Sequence, residues 1–173
     1  MLCLGQVASK TQITAEEYLR TTFEHDAEFV HGEIVERSMP TYSHSTMQFL
    51  ILLRFGALVQ THRLFPRPEL RVKVAKDVYR IPDVVVYATR PQQEVPDDPP
   101  LVAIEIPSKD DRHSDLMQKL EEYRAWGVPN IWVIDPNTKK FASYTELGLQ
   151  NASSLSLPDY SFQLTPADLF SEL

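Results

Sequence analysis

The sequence predicts an α/β fold in which a mixed central β-sheet is flanked by helices. Three observations lead there. The runs Ile81–Tyr87, Leu101–Ile106 and Ile131–Ile134 are apolar and of strand length, as fully buried strands are. A stretch with helical spacing separates the second run from the third. It opens at His113 or Ser114, runs to Trp126 and stops at Gly127, with Pro129 just beyond. Such a strand–helix–strand unit predicts parallel strands joined by a right-handed crossover. Outside it, the alternating Leu70–Val74 segment and a break at Gly32 predict further strands.

From the N-terminus, residues 1–12 read as a loose arm before a single domain over 13–173. Thr14-Ala15-Glu16-Glu17 is a capping box that opens a short helix to about Thr22. Phe29–Arg37 reads as a strand pair, or one bent strand, with Gly32 at the bend. Ser43 or Ser45 is the expected cap of the next helix, which runs to about Thr61. Its apolar residues, among them Met47, Phe49, Ile51, Leu53 and Phe55, lie nearly all round. The helix is therefore expected to be buried on most sides or to sit in an oligomer interface. Pro66-Arg67-Pro68 interrupts the chain. Leu70–Val74 places its basic residues on a wet face, and Lys76-Asp77 turns. Thr89–Pro100 holds four prolines and reads as a surface loop. After Asp135-Pro136-Asn137, Phe141–Thr145 returns as a hairpin arm. Leu155–Leu157 and Tyr160–Leu164 are short edge strands, and Thr165–Asp168 starts a last helical turn.

Composition narrows the class. A chain of 173 residues, 43% hydrophobic and 24% charged, can close one full core. Cys3 is alone, which excludes an intrachain disulfide or a cysteine zinc site and fits a reducing, cytoplasmic location. Phe49–Leu53 is the densest apolar run, and Arg54 ends it far short of a membrane span. Residues 1–10 lack the basic start and apolar core of a signal peptide. A net charge of −7 argues against a nucleic-acid coat protein. The charge is uneven: Thr61–Arg80 carries six Lys or Arg against two acids, whereas the chain from Phe141 onward has four acids and neither Lys nor Arg. The basic stretch is the expected contact for a phosphate backbone, or else an ordinary solvated strand pair.

Two of the apolar runs carry an acid each. Glu105 sits inside Val102–Ile106, and Asp83 follows Pro82 ahead of Val84-Val85-Val86. A carboxylate among apolar neighbours needs a partner. Two on adjacent strands repel unless a cation lies between them. On the following helix, at 100° per residue, Lys119 falls at roughly −60° from Leu116. That angle lies between Tyr123 and Trp126, so Lys119 points at the sheet. It can meet the strand acids, or snorkel and pair with Asp115 one turn back. Two carboxylates and a backbone carbonyl, here that of Ile106, suit Mg²⁺ or Mn²⁺, and an ammonium beside them completes a phosphodiester-cutting set.

Pro82-Asp83 followed by Glu105 resembles the PD-(D/E)xK nuclease superfamily, the fold of type II restriction enzymes. More closely, the chain resembles the Uma2-type family, whose members are described as endonucleases. The resemblance covers roughly residues 12–172. It rests on Tyr18-Leu19, His31-Gly32-Glu33-Ile34-Val35, His44, Pro82–Val86, Ile104–Ser108, Asp115 with Lys119, and above all Tyr123–Asp135. It implies a restriction endonuclease-like fold, Asp83 and Glu105 as metal ligands, and Lys119 as the catalytic lysine. The superfamily lysine stands two residues after the glutamate, where this chain has Pro107. Lys109 shares a strand face with Glu105 and is the rival to Lys119. An early acid often joins such sites and Glu33 matches it, although a solvated hairpin acid reads the same. His44 is a cap, a core residue or a phosphate contact. Ser108 and Asp115 are expected to support the site.

The expected function is a metal-dependent DNA endonuclease, acting as a homodimer and needing no organic cofactor. The alternative is a catalytically silent nuclease-fold module for nucleic-acid binding or assembly.

Overall fold

The computed structural model describes residues 12–109 and 111–171. The expected arm at 1–12 therefore lies, apart from Gln12, outside the described residues. Thr14 and Glu17 form the capping box that starts α1 (Ala15–Arg20). The chain then turns through His31 and Gly32, both at positive φ, to pair β1 (Ala27–Val30) with β2 (Glu33–Glu36). Next comes α2 (Tyr42–His62), followed by β3 (Phe65–Pro68), β4 (Val72–Ala75), β5 (Val78–Arg80) and β6 (Val84–Tyr87). The site-bearing unit is β7 (Val102–Glu105), α3 (His113–Trp126) and β8 (Asn130–Asp135). Beyond it lie β9 (Lys140–Thr145), β10 (Gly148–Ala152), β11 (Leu155–Leu157), β12 (Phe162–Leu164) and α4 (Pro166–Phe170).

These strands form two principal sheets. One has the order β10-β9-β8-β7-β6-β3, and the other β2-β1-β5-β4. In the six-stranded sheet only β7 and β8 run parallel, joined by α3 as the strand–helix–strand pattern requires; the other pairs are antiparallel. Successive residues of a strand face opposite sides. Val84, Val86, Ile104 and Trp132 therefore pack with Met47, Ile51 and Phe55 of α2. Ala103, Ile131 and Val133 face Leu120 and Tyr123 of α3, with Val72, Val74 and Val78 of the second sheet closing that core. Glu105 has the parity of Ala103, so it belongs to the α3 side.

Several expectations are corrected. The run Ile81–Tyr87 is not one strand: β5 ends at Arg80 in one sheet and β6 starts at Val84 in the other, leaving Ile81-Pro82-Asp83 to cross between them. Pro66-Arg67-Pro68 does not break the chain but forms the edge strand β3, where a missing N–H facing outward costs no ladder bond. The cap of α2 is Thr41, whose hydroxyl accepts from the His44 N–H at 3.3 Å; the two serines fall inside the helix. One face of α2 is buried, while Tyr42, Phe49 and Leu53 are exposed. The last pair of expected edge strands forms a separate two-stranded sheet, and β10 extends the hairpin of β9.

Candidate active site

Asp83 and Glu105 face each other because β6 and β7 pair antiparallel. Val84 stands opposite Ile104, and extending that register by one residue sets Asp83 opposite Glu105. Both are buried, at 3% and 5% exposure. They line a cleft of about 700 Å³ together with Glu28, Arg37, His44 and Lys119.

Asp83 is held from three directions. Its Oδ1 accepts from Arg37 Nη2 at 2.5 Å and lies 3.1 Å from His44 Nε2, and its Oδ2 accepts from the Ile106 N–H at 2.6 Å. Gln48, one turn along α2 from His44, donates to the Asp83 carbonyl at 2.9 Å. Burial pushes the Asp83 carboxyl up, but the His44 bond, the Arg37 charge and the Ile106 N–H outweigh it and hold it below the usual range. Its hydrogen bond to Asp83 raises His44, against the opposing effect of burial.

Glu105 behaves differently. Its Oε1 accepts from the Tyr123 hydroxyl at 2.6 Å, and its Oε2 faces Lys119 Nζ at 3.7 Å, too far for a hydrogen bond. Burial pushes this carboxyl up to about 7, with Asp83 and Glu28 adding to the rise and Lys119 opposing it. Lys119 points inward, as its helical angle predicts, and its partners are carboxylates of two strands rather than Asp115. Nζ lies 2.9 Å from Glu28 Oε1, and the side chain is 17% exposed. Burial lowers its pKa, but Glu105 and Glu28 more than reverse that, so the ammonium keeps its proton.

Glu28, not singled out from the sequence, is a second early acid that lines the cleft beside Glu33. Its carboxylate bridges Lys119, Arg80 Nη1 at 2.9 Å and the Ile81 N–H at 3.0 Å. Arg80 in turn holds both oxygens of Glu122, at 2.6 and 2.9 Å. Glu33 and Ser108 line the cleft half-buried, and Asp115 lines it exposed. Lys109 is exposed and does not line the cleft, whereas Lys119 does. The signal for Glu28 was present: it lies between Ala27 and Phe29, both buried, just as Glu105 lies between Ile104 and Ile106. Arg80 was counted with the basic surface stretch, yet it is 4% exposed. Arg71 of the same stretch stacks over the Tyr18 ring.

A family model described as "Putative restriction endonuclease" matches residues 15–166. The chain belongs to the Uma2 family. A crystal structure from Anabaena variabilis ATCC 29413, of a protein described as a "putative nuclease belonging to DUF820", shares the fold. It matches with a TM-score of 0.81 and 23% identity, over 92% of this chain and 98% of that one. The restriction endonuclease-like architecture of this Uma2 chain is thus shared along nearly its whole length. No curated protein matches it.

The donors present fit a hard divalent cation in part. Glu105, which lines the cleft, makes no hydrogen bond from Oε2 to Lys119, and Asp83 Oδ2 has one lone pair beyond the Ile106 bond. Two carboxylate oxygens with a carbonyl and waters are an acceptable set for Mg²⁺ or Mn²⁺. Among the described residues no group of three or more His, Cys, Asp or Glu forms a ready-made cage. The partner that each buried acid needs is already supplied by side chains, since Arg37 and His44 stand against Asp83 and Lys119 against Glu105.

Proposed function

We propose that this Uma2 chain is a metal-dependent endonuclease that hydrolyses phosphodiester bonds of DNA. The observation that carries the reading is the convergence of Asp83, Glu105 and Lys119, from two strands and a crossover helix, on one cleft. Asp83, Glu105 and the Ile106 carbonyl would hold Mg²⁺ or Mn²⁺. When bound, the cation polarises a phosphate and lowers the pKa of a coordinated water. Lys119 stays protonated and steadies charge developing on the phosphate, a role for an electrostatic stabiliser rather than a base. Glu28 aims Lys119 through its 2.9 Å contact. Glu33, on the cleft wall, would approach the nucleic acid or the metal's waters. A second copy of the chain is the expected partner, since cutting both strands of a duplex calls for two sites, and light scattering checks it.

Plasmid cleavage with Mg²⁺ or Mn²⁺, set against EDTA, tests the reading. Asp83→Ala and Glu105→Ala should each abolish cutting while the circular dichroism spectrum stays native. A wild type that cuts no nucleic acid with any divalent metal would count against it. The second reading, a silent module that keeps the fold and binds nucleic acid, is favoured by one observation: side-chain cations already balance the buried acids. That reading expects DNA binding without cleavage and no heat on Mn²⁺ titration.

A further inference from the structure

Arg37 stands where a metal's charge would act. Its Nη2 is 2.5 Å from Asp83 Oδ1, and its Nη1 is 3.7 Å from Glu69 Oε1. The side chain is 15% exposed, and the residue lies on the cleft wall just past the end of β2. Its backbone is fixed, since the Arg37 N–H donates to the Asp26 carbonyl at 2.9 Å, so movement is left to the long side chain. Glu69 is fixed too. It adopts a left-handed backbone, φ 46, and its N–H donates to the Asp83 carbonyl at 3.2 Å. Two carboxylates held side by side therefore flank one guanidinium.

We propose that Arg37 and a divalent cation compete for Asp83, with Glu69 taking the guanidinium when the cation binds. This rests on the metal site proposed above. A dication on Asp83 would sit within a few ångströms of a guanidinium bonded to the same carboxylate, and like charges that close in a half-buried site repel strongly. The guanidinium keeps its charge at any working pH, so it can relieve the repulsion only by moving. Glu69 is 36% exposed, a wetter and less costly place for that charge. Arg37 thereby sets the concentration at which the metal enters, and the cleft stays charge-balanced before it does.

Mn²⁺ titration by calorimetry, without nucleic acid, tests this on the full chain. Arg37→Met should bind Mn²⁺ at least about tenfold more tightly than wild type, as removal of a like charge at contact distance implies. Equal or weaker binding by the variant, with wild type still binding through Asp83, overturns the competition and leaves the metal site standing. If neither protein binds Mn²⁺, both ideas fall together. A Mn²⁺-soaked crystal of the wild type gives a measurement independent of the variant. Arg37 turned from Asp83 to Glu69 supports the proposal, and an intact Arg37–Asp83 pair beside bound Mn²⁺ overturns it.

Discussion

At the scale of single residues, the opposed carboxylates differ in what holds them, and that difference is measurable. Folding raises the Glu105 carboxyl to about 7, chiefly through burial. An acid raised in this way favours the folded state when protonated. Its benefit is therefore full below the unfolded value near 4.5 and is lost as pH rises through 7, on the order of 3 kcal/mol in all. Urea unfolding between pH 5 and pH 8 should show stability falling with pH, and Glu105→Gln should flatten that slope. Lys119→Met should cost about 3–5 kcal/mol, because it leaves Glu105 buried without an ion-pair partner and Glu28 with Arg80 alone. The loss should shrink at pH 5, where Glu105 carries its proton, a pattern that denaturant curves at the two pH values will read. Asp83, Glu105 and Lys119 were legible at this scale because each is a charge at an apolar position. Glu28 showed the same sign over a shorter run. Arg37 did not, since nothing in a hairpin's trailing arginine says which carboxylate it will reach.

At the scale of elements, the strand–helix–strand unit was legible in length, ends and direction. Gly127, at φ 104, closes α3 where the pattern places it, with its N–H on Arg124 and Tyr123 carbonyls. Pairing between sheets was not legible. Whether Val78–Arg80 continues into Val84–Tyr87 or leaves it depends on which neighbour each segment finds, and Pro82 is compatible with either course. The consequence falls on Arg80, which ends β5 and ties α3 to the four-stranded sheet through Glu122 and Glu28. Arg80→Met should therefore destabilise by about 3–5 kcal/mol. Glu122→Gln should cost less, since its side chain is 19% exposed and water can replace part of the pair. Chemical denaturation of the two variants checks the order.

At the scale of the whole molecule, the acidic balance of −7 and a nucleic-acid substrate are compatible only if the positive charge is local. Of the basic stretch, Arg63, Arg67 and Lys76 are exposed, whereas Arg80 is withdrawn into the site. Replacing any one of the exposed three with Ala should weaken DNA binding about equally for all sequences. It should also reduce the slope of log affinity against log salt by about 1 if that residue meets a phosphate. Filter binding across a salt series decides it. Composition showed that a basic stretch existed, but not which of its members face out, because the alternation that sets this depends on the sheet each strand joins.

The proposed site draws Glu28, Asp83, Glu105 and Lys119 from four separate segments, and the contact between Lys119 and Glu28 ties α3 to β1. Any fragment that holds all four must run at least from Glu28 to Lys119. A chain that has lost its first hairpin to a protease therefore loses Glu28, the carboxylate closest to Lys119. The proposed nuclease activity would then be lost together with that first hairpin.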